Sequence, residues 1–189
     1  MKTIDERLEE LTKKISSDEF QKSYGLGNEV DFHVFDYDPE DEYKVREHLK
    51  YLESKKDLNL KVFDIYEVII EILKEKGFLE KVFEFEEKKG TKYVNSIISK
   101  TLGLGTSNDL IVKKIKNEIE PNQIIIITGI GKSYTIVRGH NLLNSLHSVV
   151  TSNPLIMFYP GMYDGQSFRL FNISKSENYY RAFQFVGRK

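Results

Sequence analysis

The sequence contains no cysteine. Disulfides, zinc-thiolate sites and thiol catalysis are therefore excluded. It also lacks any apolar run long enough to span a bilayer, and it opens on a charged amphipathic segment where a signal peptide would carry an apolar one. The expectation is a cytoplasmic protein with no membrane association. Histidine is scarce, with four in 189 residues, and none of the four stand at i and i+4 as a helical metal pair would. Net charge is only −1, too small for a dedicated nucleic-acid binder.

What is present is 40% apolar and 12% aromatic residues, enough for one compact core and short for two, so residues 1–189 are expected to form a single domain. The charges are unevenly spread: residues 1–120 carry a net of −6 and residues 121–189 a net of +5, with four of the six arginines in the latter. A basic C-terminal third suits an anionic partner. It also follows simply from Glu- and Lys-rich helices preceding sheet.

Ile4, Leu8, Leu11 and Ile15 form one stripe of an amphipathic helix over residues 3–16. Phe32, Val34 and Phe35 mark a strand ending in Asp36-Tyr37-Asp38-Pro39, where Asp38 is placed to cap a helix running to about Lys56. A second strand, 60–65, leads into helix around Val68, Ile69, Ile72 and Leu73, and further helices are predicted over 91–101 and 108–118. Ile124-Ile125-Ile126-Ile127 reads as a strand buried on both faces, followed by helix over 133–149 and another central strand over 155–159. The last runs, 167–173 and 179–186, are expected to pair as a hairpin. The fold class is thus α/β in three layers, a mainly parallel sheet with helices on both faces and a C-terminal antiparallel strand pair.

Gly129-Ile130-Gly131-Lys132-Ser133 follows a strand and opens a helix, the setting of a phosphate-binding loop, but the first glycine of such a loop would fall at Ile126, inside the strand. Without that loop length the backbone N–H groups cannot curl around a phosphate, so no ATPase and no cofactor is expected. Asp36, Asp38, Asp41 and Asp64 stand at strand ends, where open α/β sheets place ligands, and a divergent metal-dependent hydrolase stays open on that ground. Capping accounts for Asp38 and Asp41 without a metal. Arg138, Arg169 and Arg181 suit planar recognition of carboxylate or phosphate, or internal ion pairs. Tyr163-Asp164-Gly165 reads as a turn.

Three segments identify a family: Pro160-Gly161-Met162-Tyr163-Asp164-Gly165 and the residues to Phe171, Thr128-Gly129-Ile130-Gly131 with 136–144, and 178–185. In order and spacing they resemble BrxB, the B component of BREX bacteriophage-exclusion systems. Gly27-Asn28-Glu29 and 34–39 extend the resemblance, so that it covers about residues 5–186. It implies a biological process and no catalytic residue. In such systems, which mark host DNA by adenine methylation, the methyltransferase, the AAA+ ATPase and the PglZ protein are separate polypeptides. A small subunit without an intact nucleotide loop then resembles an adaptor on a degenerate P-loop-like or Rossmann-like sheet. The PglZ protein is its first expected partner, and direct DNA contact would be weak. Gly129, Gly131, Arg138, Tyr163, Asp164, Arg169 and Arg181 are the candidate contact residues. A nucleotide- or DNA-binding subunit using the basic C-terminal third is the alternative.

Overall fold

A computed structural model describes residues 2–22, 32–175 and 182–189. The elements are α1 (Ile4–Ile15), α2 (Asp18–Lys22), β1 (Phe32–Tyr37), a 3-10 turn (Pro39–Asp41), α3 (Glu42–Ser54), β2 (Leu60–Asp64), α4 (Ile65–Glu75), α5 (Leu79–Lys89), α6 (Thr91–Leu102) and α7 (Leu110–Glu118). They continue with β3 (Ile124–Thr128), α8 (Ile130–Ser133), α9 (Gly139–Leu146), β4 (Leu155–Tyr163), β5 (Phe168–Leu170), β6 (Ser174–Lys175) and β7 (Phe183–Gln184). Among the described residues no helix is long and apolar enough to cross a membrane.

The parallel strands lie in the order β2-β3-β4-β1-β7. Side chains alternate across a strand, and here the alternation sorts the apolar residues into two cores. Phe35, Ile124, Ile126, Ile156 and Phe158 pack beneath α1 and α3 on one face, while Val34, Ile125, Ile127, Leu155 and Met157 pack beneath α4, α6, α7 and α9 on the other. The three-layer α/β fold expected from the sequence is the one observed. From β1 the chain crosses to β2 over the α3 face, then returns through β3 to β4 over the opposite face. Direction and face reverse together, as crossovers of one hand require.

Several expected details differ. The helix expected over 133–149 is shortened to α9: α8 ends at Ser133, Thr135, Ile136 and Val137 are β-branched and outside helix, and Arg138 is extended (φ −103°, ψ 133°). β4 runs to Tyr163 and carries β5 and then β6 antiparallel on its extension. The hairpin of 167–173 with 179–186 is therefore replaced by two separate pairings. β7 joins β1 in parallel instead, since Phe185 and Val186 are buried in the α1–α3 core. Residues 179–181 of that expectation, and Gly27-Asn28-Glu29, lie outside the described residues.

His33 on β1 lies among the rings of Phe20, Phe183 and Phe185, with centroids 5.6, 6.0 and 5.2 Å away. Burial, with Lys14 nearby, lowers its pKa from 6.5 to about 4. The unfolded chain therefore takes up this proton first, so the contribution is intact above pH 6.5 and is lost as pH falls toward 4. Urea midpoints are expected to drop across that window, and His33→Gln is expected to flatten the drop.

Candidate functional site

The loop after β3 leads to one face of the sheet and the loop after β1 to the other, with the end of β4 between them. Open α/β sheets form a crevice at such a switch point, beyond the carboxyl ends of the strands. Here it has a volume of about 280 Å³, with Tyr37, Pro39, Glu42 and Arg46 on one bank, Gly129 to Lys132 on the other, and Pro160 and Phe171 between. The Tyr37 hydroxyl donates to Glu42 Oε2 at 2.6 Å, and Arg46 Nε donates to Glu42 Oε1 at 2.7 Å. Burial, then Glu42, raises the Tyr37 pKa well above its ordinary value, so the hydroxyl stays protonated.

The glycine turn on the far bank has a structural reason. Gly129 is left-handed (φ 76°), and a Cβ there would collide with the Asp64 carboxylate. Asp64 caps α4 by accepting from the N–H groups of Tyr66 and Glu67 at 3.1 and 3.4 Å, and its other oxygen accepts from Lys132 Nζ. Lys132 is also 3.7 Å from Glu67. Ile126 lies buried within β3, where a phosphate-binding loop would need its first glycine. Gly131 packs under the Phe171 ring and Pro160, with its would-be Cβ 3.0 and 3.1 Å from them.

Phe171 and Asn172 themselves have positive φ, 53° and 60°. For a bulky aromatic residue this is an unusual backbone, which surrounding contacts must impose. Those contacts are the Phe171 N–H to the Pro160 carbonyl at 2.9 Å and Asn172 Nδ2 to Asp38 Oδ1 at 3.0 Å. They hold the aromatic ring at the mouth of the crevice.

Behind this wall sits Asp36, fully buried. Its carboxylate accepts from Arg7 Nη2 (3.1 Å), Gln184 Nε2 (3.3 Å), Arg188 Nε (2.8 Å) and the Tyr163 N–H (3.2 Å). Arg188 also donates to Asp38 at 2.9 Å and to the Gly161 carbonyl at 2.6 Å, and Arg7 to the Val186 carbonyl at 3.0 Å. Burial lowers the Arg7 pKa against the pull of Asp36. Burial opposes the charge of Arg188 too, but Asp38 and Asp36 outweigh it and raise its pKa. The arginine ends are thus tied through one carboxylate to β1 and to the β4 extension. Arg7 was not singled out from the sequence, although it stands three residues after Ile4 and four before Leu11, on the apolar stripe of α1. A charge in that position is the signal that a buried anion awaits it.

Asp38 and Asp41 do not cap a helix through their side chains. Arg188 and Asn172 engage Asp38 instead, lowering its pKa in that order with burial opposing. Among the described residues no group of three or more His, Asp or Glu is placed to hold a metal ion.

Of the candidate residues, Gly129 and Gly131 line the crevice. Tyr163, Asp164 and Arg169 stand together on the adjoining arm made by the end of β4 with β5 and β6. Tyr163 is buried, not on the surface: its ring stacks on Phe168 (4.5 Å) and its hydroxyl donates to the Ala182 carbonyl (3.0 Å) and accepts from the Ala182 N–H (2.9 Å). It anchors the C-terminal segment. Asp164 closes a turn, accepting from the N–H groups of Gln166 and Ser167 at 3.0 and 2.7 Å. Arg169 is exposed on β5, opposite Met162. Arg138 lies apart from both, just before α9, and Arg181 lies outside the described residues.

Fold and site together define a doubly wound α/β protein with a switch-point crevice bordered by an antiparallel arm. Residues 61–185 match the family model described as BREX protein BrxB. A BREX protein BrxB of Bacillus cereus is 45% identical over 192 residues, covering 100% of both chains. One of Escherichia coli is 37% identical over 185 residues, covering 97% of this chain and 92% of the relative. No solved structure matches. The chain belongs to the BrxB family, components of BREX phage-defence systems.

Proposed function

We propose that the chain, acting as one domain, is a non-catalytic adaptor of a BREX complex, needed for host DNA methylation and phage exclusion. Its first partner is the PglZ protein, with the methyltransferase and the AAA+ ATPase assembled around that pair. The observation that carries this reading is the arm beside the crevice. It presents Ile173 at 87% exposure, with Met162 and Phe171 partly exposed and Arg169 opposite Met162, apolar side chains and a cation of the kinds that anchor protein interfaces.

The electrostatics favour a protein partner over a polyanion. Among the basic residues of the C-terminal third, Lys132 is engaged by Asp64 and Glu67, and Arg188 by Asp36 and Asp38. Two of the seven basic residues of that third are thus already neutralised and the chain's net charge is only −1, so DNA contact would be weak and would fall steeply with salt. The strand-end carboxylates are likewise engaged, Asp36 by four donors and Asp64 by a helix end and a lysine. That supports an assembly role over hydrolysis.

The test pairs Ile173→Asp with Arg169→Glu in the native operon. Both positions are exposed, so stability is expected to stay within about 0.5 kcal/mol. Co-purification of the PglZ protein and phage resistance are expected to fall together, by roughly thirtyfold in affinity if the pair contributes about 2 kcal/mol. Intact co-purification with lost resistance would point to a ligand in the crevice instead.

A further inference from the structure

A second groove, of about 390 Å³, opens between α9 and the α6–α7 connection and shares no lining residue with the crevice. Its floor is apolar, formed by Ile111, Ile136, Val137 and Leu142, with Leu104 on the far bank. Asn141 and Ser145, four apart, share one face of α9 with Asn144 beside them, and Arg138, the extended residue that precedes the helix, lines the same groove. Arg138, Asn141 and Asn144 are exposed, and none makes a side-chain hydrogen bond or ion pair to another described residue. The Tyr134 ring lies 5.9 Å from the guanidinium carbon of Arg138.

The one carboxylate in the lining, Asp109, is already satisfied: it accepts from the N–H groups of Ile111, Val112 and Gly105 at 3.0, 3.2 and 3.1 Å. The groove therefore offers one planar cation and two carboxamides with nothing inside the groove to meet them. A guanidinium matches a carboxylate through two parallel bonds, and each carboxamide supplies the donor and acceptor that a peptide unit requires. A single arginine over an apolar floor is poorly matched to nucleic acid, which needs several phosphate contacts.

We propose that this groove docks an extended segment of another protein, in which an Asp or Glu side chain pairs with Arg138, its backbone pairs with Asn141 and Asn144, and a neighbouring apolar side chain fills the floor. The inference is independent of the arm, and either can fail alone.

The test selects a surface-displayed library of random dodecapeptides on the immobilised full-length chain. Enriched peptides are then measured by fluorescence anisotropy against wild type, Arg138→Gln, Asn141→Ala and Asn144→Ala. The expected outcome is enrichment of Asp or Glu beside an apolar residue, and a loss of about tenfold or more in affinity for Arg138→Gln with unchanged melting temperature. Inorganic phosphate and a single-stranded oligonucleotide should fail to displace the peptide. Absence of acidic enrichment, equal binding by the folded variants, or displacement by the oligonucleotide would each overturn the proposal.

Discussion

Asp36→Ala is expected to destabilise the protein by about 3–5 kcal/mol, the usual consequence of removing one partner from a buried ion pair. The residue is fully buried, and its loss would strand Arg7, 4% exposed, without its carboxylate and leave Arg188, 13% exposed, with Asp38 alone. A domain of ordinary stability has only about 5–15 kcal/mol in total, so the variant should unfold at much lower urea and express poorly. The loss should be greater than for Arg7→Met, which removes one of two cations and leaves Asp36 still bonded to Arg188. Replacing all three with apolar residues of similar volume should recover much of the stability, because the desolvation cost disappears along with the attraction. Urea midpoints for the single, paired and triple variants measure this directly. Equal stability of Asp36→Ala and wild type would mean that the network does not tie the termini to the sheet.

Gly161→Ala is expected to act more locally. Gly161 sits where β4 leaves the parallel sheet, at φ 155°, opposite Leu170. A Cβ there would run into the Arg169 carbonyl oxygen and lie 3.0 Å from the Phe171 N. Neither is a flexible side chain that can swing away; both are backbone of the adjoining strand. Overpacking of this kind costs about 1–3 kcal/mol. The Gly161 carbonyl also holds Arg188 at 2.6 Å, so displacing it disturbs the Asp36 network too. Hydrogen exchange should therefore accelerate at residues 168–171 while the Ile124–Thr128 strand keeps its protection. Uniform protection in the variant would show that the arm tolerates the extra atom.

The layers of this fold were legible because they rest on periodicity. Four consecutive isoleucines, 124–127, announce a strand buried on both faces, and the stripe of α1 announces which side of that helix is covered. α5 was not legible: only Val82 is buried along its eleven residues, so its packing signal is slight. The destination of β7 was also hidden. An apolar run at the end of a chain fits an antiparallel hairpin or a parallel edge equally well, and here burial of Phe185 and Val186 under α1 decides it. At the site, Gly129 and Gly131 could be recognised as a turn, but the carboxylate that makes Gly129 necessary belongs to Asp64, 65 positions earlier. Tyr163 carries the same lesson. Its characteristic setting marked it as important, while its role as a buried anchor depends on Ala182, which no local pattern connects to it.

The central claim is that this chain joins BREX components through the arm beside its crevice. Calorimetric titration of the purified chain into the purified PglZ protein of the same operon tests it most directly. The account predicts saturable binding by wild type, weakened roughly thirtyfold or more in the folded Ile173→Asp/Arg169→Glu variant. Equal affinity of wild type and the double variant, or no binding by wild type, would contradict it.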